Sequence, residues 1–250
     1  MSMTRRAKAA IRPVLLSRDG LVLLGLLLAI DAAFLFMHVA HLQARRVWAT
    51  ETFFFDNSFS IEQDGGHSES FELLKTLACA FALAGCWVRT RQPIYLALSV
   101  VFAYLFVDNA LMVHETVGEG TAVLFSPAAR LFDTAPAALG EVAFLGLVGL
   151  VVLGLVALAL PRSTARHRLF GLAFVLLLLA LGGFGVGVDL LHAVATAYSH
   201  RVVNWGFGVV EDGGELAILS VACALSLTLY AHLAAGRQPP GHAGAGQWRW

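Results

Sequence analysis

Charged residues are scarce in this sequence. Asp, Glu, Lys and Arg make up 14% of its 250 residues, hydrophobic residues make up 58%, and the mean hydropathy is +0.74. A soluble domain of this length cannot bury so much apolar surface, which excludes an ordinary soluble enzyme or binding module. The net charge is zero, and no basic patch typical of nucleic-acid binding is present. We expect the chain to lie in a lipid bilayer.

Cysteine is nearly absent as well. Cys79, Cys86 and Cys223 all fall in apolar stretches, and none belongs to a CxxC or another metal-type spacing. We interpret them as small packing residues rather than metal ligands. The sequence also lacks a phosphate-binding glycine loop, a nucleophile elbow and a transporter-like pair of broken helices.

Long apolar runs are the main feature of the sequence. A hydrocarbon core about 30 Å thick requires roughly 20 apolar residues per helix. Six segments approach or exceed this length: Leu21 to His41, Phe71 to Val88, Ile94 to Val113, Leu139 to Leu160, Leu169 to Ala193 and Val209 to Ala235. The predicted fold class is all-α, a polytopic membrane bundle of six transmembrane helices.

The rest of the chain divides around these spans. We expect residues 1–20 to form a basic cytoplasmic tail, residues 21–235 to form the six-span domain with an outer loop at 42–68, and residues 236–250 to form a disordered cytoplasmic tail. The first apolar run continues through Met37 without a convincing cleavage site, so we expect it to be retained as a span. Pro127 and Pro136 mark the connection between the third and fourth spans.

The basic residues predict the orientation, because Lys and Arg near span ends stay on the cytoplasmic side. They concentrate in the N-terminal tail, in the loops after the second and fourth spans, and in the C-terminal tail, which places both termini inside. Sixteen of the 17 acidic residues then lie in the membrane or outside it, the exception being Asp19. We expect an integral protein of the bacterial inner membrane, with its ionisable residues at the periplasmic side.

Those ionisable residues form a belt near the outer ends of the spans. Each charge costs at least about 2.5 to 3.5 kcal/mol to insert, so it normally faces the bundle interior and finds a partner. Gly183 and Gly187 form a small-residue pair that predicts close helix packing beside the belt. The belt contains Asp31, His38, His41, Glu69, Glu72, Lys75, Asp108, His114, Glu115, Glu141, Asp189, His192, Glu211, Asp212 and Glu215.

Carboxylates and imidazoles converging from several helices are typical ligands of Zn, Fe or Mn, whereas Cu(I) prefers Cys and Met. Asp189 and His192 are three residues apart, a spacing similar in kind to the Glu-x-x-His ligands of di-iron bundles. His114 is less favourably placed, since six residues separate it from Asp108 on a helix. The predicted metal ligands are Glu72, Asp108, His114, Glu115, Asp189, His192, Glu211 and Glu215. A buried hydrogen-bond network and an aqueous vestibule for protons or ions remain alternatives.

Three strings carry a resemblance. FVDNALMVHE at 106–115, GVDLLH at 187–192 and VEDGGE at 210–215 resemble a group of uncharacterised multi-pass bacterial membrane proteins, a resemblance that implies no activity. A looser similarity relates the chain to the membrane hydrolase superfamily of alkaline ceramidases and adiponectin-type receptors, which implies a metal inside a helical bundle. The six spans, the carboxylate-rich belt and the missing His-x-x-x-His depart from that pattern.

We therefore expect a membrane-embedded, metal-dependent enzyme that acts on a lipid or another amphiphile. Glu115 and Glu215 are the predicted catalytic residues, acting as general bases. If the metal is Zn, we expect the enzyme to hydrolyse its substrate. If it is a di-iron pair, we expect oxidation or desaturation of a lipid. The alternatives are a transporter or channel for protons or divalent cations and an accessory subunit of a membrane complex.

Overall fold

The computed structural model describes residue 14 and residues 16–45, 53–132, 135–188 and 201–236. These ranges contain seven α-helices and no strand. A π-helical segment, Gly183–Val188, continues the sixth helix, and two short 3-10 helices, Phe53–Phe55 and Asn57–Phe59, precede the second. The helices are α1 Arg18–Gln43, α2 His67–Thr90, α3 Pro93–Leu111, α4 Val113–Phe132, α5 Pro136–Ala159, α6 Ala165–Gly182 and α7 Arg201–Ala234.

Six of these elements are long and apolar enough to cross a membrane, which confirms the predicted six-span, all-α class. They are α1, α2, α3, α5, α6 with its π-helical extension, and the part of α7 from Gly206 to Ala234. This is consistent with an integral, multi-pass membrane protein. The far end of the predicted fifth span, which includes Asp189 and His192, lies outside the described residues.

Local sequence signals explain where several spans begin and end. Ser17 caps α1 by accepting a hydrogen bond from Gly20 N at 3.1 Å. α2 ends at Thr90 and is capped by Arg91, whose backbone is left-handed (φ 54°) and whose N–H donates to Trp87 O at 2.7 Å. Pro93 then opens α3 at a position that needs no N–H donor. The α2–α3 turn is therefore tight.

The connection between the third and fourth spans is itself a helix, α4, which the prolines did not predict. It packs along α5 through two glycines. A Cβ on Gly140 would lie 2.8 Å from Gly118 O, and a Cβ on Gly118 would lie 2.9 Å from Ala137 O. Such close backbone approach requires the absence of both side chains. Tertiary packing, which a local pattern does not contain, therefore stabilises this helix.

The two ends of the bundle differ in packing. We call the end that carries Arg89, Arg162 and Arg168 the basic end, and the opposite end the acidic end. At the basic end, Tyr95 OH hydrogen-bonds His167 Nδ1 at 2.7 Å, which links α3 to α6. The apolar core fills this half with buried side chains of α2, α3, α5, α6 and α7, including Leu83, Cys86, Ile94, Leu98, Phe102, Val156, Phe170, Phe174, Leu225 and Leu229. Free space lies toward the acidic end.

Candidate functional site

A cavity of about 720 Å³ lies in the acidic half, among α2, α3, α5, α6 and α7. This volume falls within the range of pockets that bind drug-sized ligands. Its deep wall is apolar and reaches from the middle of α5 across to α7. That wall includes Val101, Leu105, Leu145, Val148, Val152, Val156, Leu178, Leu216 and Leu219.

The other end of the cavity is rich in carboxylates. No Lys or Arg lines it among the described residues, and His114 is its one imidazole there. Carboxylates gathered at this density repel one another unless they share protons or bind a cation. The nine acidic residues that line it are Glu62, Asp64, Glu69, Glu72, Asp108, Glu115, Glu211, Asp212 and Glu215. The cavity is therefore amphiphilic, with an apolar depth and an acidic mouth.

The structure brings together six of the eight predicted metal ligands. Glu72, Asp108, His114, Glu115, Glu211 and Glu215 all line this one cavity, although they come from four different helices. The remaining two, Asp189 and His192, lie outside the described residues. Within the described ranges, no three His, Cys, Asp or Glu side chains converge closely enough to hold a metal ion.

Asp108 and His114 form the best-defined pair in the cavity. α3 ends at Leu111, and Met112 adopts a left-handed conformation (φ 49°, ψ 45°) that turns the chain into α4. The turn brings His114 Nδ1 to 3.0 Å from Asp108 Oδ2. The unfavourable spacing expected from a continuous helix is therefore overcome, because the helix does not continue.

Asp108 is held from its other side as well. Its carboxylate is 2% exposed, and Oδ1 accepts a hydrogen bond from Tyr104 OH at 3.1 Å. His114 Nε2 lies 3.9 Å from Glu115 Oε1, on the more exposed side of the ring. A carboxylate that binds one imidazole nitrogen fixes the tautomer and orients the other nitrogen. Tyr104 and Asp108 thus position His114 Nε2 beside Glu115.

Glu215 lies against the backbone of α6's π-helical extension. A Cβ on Gly185 would collide with Glu215 Oε1, so this glycine leaves room for the carboxylate. The sequence placed the close approach at Gly183 and Gly187 instead. A Cβ at either of those positions would meet nothing within 4 Å in the described part of the chain. The wider π-helical turn moves the contact to the glycine between them.

Lys75 and Asp31 lie beside the cavity and do not line it. Lys75 Nζ donates to Asp31 Oδ1 at 3.0 Å, to Leu216 O at 2.7 Å and to Ser220 Oγ at 3.3 Å. Ser220 Oγ in turn donates to Asp31 Oδ2 at 2.6 Å. Lys75 and Asp31 are 2% and 4% exposed, and each neutralises the other. This pair ties α1 to α2 and α7.

Ser68 is a site residue that the sequence did not indicate. It lines the cavity and is 4% exposed, yet its Oγ has no hydrogen-bond partner among the described residues. Buried polar atoms are almost always hydrogen-bonded, so Ser68 Oγ is free to bind a ligand or water in the cavity. Glu62 and Asp64 were assigned to an ordinary acidic loop, but the loop folds over the cavity mouth. Tyr104, four residues before Asp108, was the one addition that helical spacing could have predicted.

No curated protein and no solved structure matches the chain. The similarity to the membrane hydrolase superfamily accordingly receives no support from these comparisons. One sequence family does match, over residues 64–229, a range that begins just before α2 and ends within α7. It contains eight of the nine acidic residues that line the cavity, the exception being Glu62. The chain belongs to this family, which is described as Domain of unknown function (DUF8692).

Proposed function

We propose that this protein is a membrane-embedded, metal-dependent enzyme that acts on a lipid or another amphiphile. The cavity is the observation that carries the proposal. Its apolar depth suits a hydrocarbon chain, and its acidic mouth suits a metal ion together with a polar headgroup. The mouth faces the periplasmic side of a bacterial inner membrane if the basic residues orient the chain in the usual way.

The donor chemistry supports a divalent metal. Carboxylate oxygens and a neutral imidazole are the ligands that Zn, Fe and Mn share. In this proposal His114 Nε2 binds the metal while Asp108 orients the ring, and Glu72, Glu211 and Glu215 supply carboxylates. Asp189 and His192, predicted as ligands from the sequence, lie outside the described residues. Ser68 Oγ, buried without a partner in the described ranges, is available to the substrate headgroup.

The proposed reaction needs a Lewis acid and a general base. The metal, when bound, supplies a Lewis acid that activates water or polarises the substrate. Glu115, whose side chain is 42% exposed, is placed to accept a proton at the cavity mouth. Glu215 is the second candidate base. Zn would make the reaction a hydrolysis, and a pair of iron ions would make it an oxidation.

A transporter of protons or divalent cations is the second candidate, and the buried Lys75–Asp31 pair favours it. That pair places further polar groups beside the cavity, next to Thr76 and Leu216 of its wall. A transport path must continue to the opposite end, however, and the described residues there form the apolar core. Ser226 and Thr228 in that half each donate to a carbonyl of their own helix, Ser226 to Cys223 O at 3.0 Å. The structure therefore favours a site that opens at one end.

Metal and lipid analysis of the purified protein tests the proposal. Wild type, Glu72→Gln and Glu215→Gln are purified in detergent without chelator, and bound metal and lipid are quantified by mass spectrometry. Glu119→Gln is the matched control, because Glu119 is an exposed acid of α4 that does not line the cavity. We expect near-stoichiometric Zn, Fe or Mn in wild type and in the control, and a loss of metal in both cavity variants.

The contrary outcomes separate the alternatives. Wild type that retains lipid but no metal contradicts the enzyme and favours an accessory subunit that binds lipid. Wild type that carries neither metal nor lipid contradicts the whole proposal and favours a proton path or a structural network.

A further inference from the structure

We infer that a membrane lipid inserts its hydrocarbon chain into the cavity sideways from the bilayer, through a gap between α3 and α5 that Tyr104 borders. The inference rests on the proposed function, since it supplies the route by which an amphiphile reaches the acidic mouth. The ligand that occupies the gap is an acyl or alkyl chain of a bilayer lipid.

The gap is a second, smaller space of about 240 Å³ between α3 and α5. Eight residues line it, and Tyr104 is the one that carries a polar side-chain atom. Five of the eight are valines, whose short branched side chains leave space between the two helices. They are Val100 and Val101 of α3, and Val148, Val151 and Val152 of α5.

One side of the gap adjoins the cavity. Val101, Tyr104, Val148 and Val152 line both spaces, so a single layer of side chains separates the gap from the cavity. Gly149, the residue after Val148, lines the cavity and would tolerate a Cβ without any contact within 4 Å in the described chain. A hydrocarbon chain that passed between these side chains would therefore reach the free volume of the cavity without crossing a second layer.

The other side of the gap faces the bilayer. Val100 and Val151 are 50% and 57% exposed, and both lie in the middle of membrane-spanning helices. In a spanning helix, an exposed apolar side chain at this depth contacts lipid hydrocarbon. A hydrocarbon chain is the ligand available there, and an apolar gap presents no barrier of desolvation to it.

Tyr104 connects the gap to the Asp108–His114 pair. Its ring lines the gap, while its hydroxyl donates to Asp108 Oδ1 at the acidic mouth. Tyr side chains commonly present an apolar body and a polar tip in this way. A lipid whose chain lies in the gap would place its headgroup on the hydroxyl side of Tyr104, beside Asp108 and His114.

Photocrosslinking in lipid nanodiscs tests this route. The probe is a phospholipid that carries a diazirine in its acyl chain, and labelled peptides are identified by mass spectrometry. Val151→Trp obstructs the gap from its bilayer side, and Val148→Trp obstructs it from within. Leu150→Trp is the matched control, because Leu150 is 68% exposed on the same helix and lines neither space.

We expect wild type and the Leu150 variant to be labelled on the cavity walls contributed by α6 and α7. Both gap variants should lose that label about tenfold, the change that about 1.4 kcal/mol would make in an equilibrium, here read as slower access. Val151 is largely exposed, so its variant should fold even if the Val148 variant does not, and thermal unfolding checks both. Equal cavity labelling in the folded Val151 variant and the control overturns the lateral route and leaves the proposed function standing. Wild type without any cavity label overturns the lateral route together with the amphiphile part of the proposed function.

Discussion

His114 Nδ1 lies 3.0 Å from Asp108 Oδ2 although the two residues sit on different helices. The left-handed turn at Met112 creates this contact by ending α3 three residues after Asp108 and starting α4 one residue before His114. The pair anchors the candidate site, because it joins α3 to the helix that follows at the cavity mouth. The site therefore depends on a backbone conformation at a residue that does not line it.

Met112 offers a direct test of that dependence. Met112→Gly should leave the protein at least as stable as wild type, because glycine adopts positive φ freely and the Met side chain is 38% exposed. Met112→Val should be less stable than Met112→Gly by at least about 1–2 kcal/mol, because any Cβ is strained in this conformation and β-branching adds to the strain. Thermal unfolding in detergent measures both changes. Equal stability of the two variants would mean that the turn does not depend on positive φ.

Gly185 tests the place of Glu215. Gly185→Ala should displace the Glu215 carboxylate and weaken metal binding by about tenfold, or about 1.4 kcal/mol. Gly187→Ala is the control, because its new methyl group would meet nothing within 4 Å in the described chain. Titration of the metal-stripped proteins with Zn or Mn gives the two affinities. If both variants bind as wild type does, Glu215 is not a ligand.

Gly149 tests whether the cavity holds an amphiphile. Gly149→Leu places a side chain in free cavity volume and should reduce co-purified lipid without destabilising the fold. Gly154→Leu adds the same side chain at an exposed position of α5 that does not line the cavity. Native mass spectrometry compares the lipid retained by the two variants. Undiminished lipid in the Gly149 variant would show that the lipid binds elsewhere.

Lys75 and Asp31 should behave as a structural pair. Lys75→Met leaves Asp31 buried without its partner and should cost about 3–5 kcal/mol of stability. Adding Asp31→Leu should restore most of that loss, because two apolar side chains then replace two charges. Thermal unfolding of the single and double variants completes the cycle. A Lys75→Met protein as stable as wild type would instead indicate that the pair is not charged in the fold.

The membrane architecture followed from the sequence alone. Each span was visible because about 20 apolar residues in a row satisfy a bilayer without help from the rest of the chain. The acidic belt could also be predicted from the sequence. A residue such as Glu72 or Asp108 is costly in hydrocarbon unless it faces the bundle interior. Which of these groups share the cavity followed in part, because acids near the same ends of spans meet when the spans pack together.

The geometry of the site was decided by the tertiary structure. Lys75 was counted with the belt, but it pairs with Asp31 of α1, donates to a carbonyl of α7 and does not line the cavity. Gly185 rather than its neighbours receives Glu215, because a π-helical turn changes the register of that face. Hydrophobic periodicity indicates which residues are apolar and on which face of a helix they lie. It does not indicate where a helix ends or which side chains contact one another across helices. The sequence by itself therefore determined the six spans and their acidic belt, while packing between helices decided the cavity, its lateral gap and the pairing of its charges.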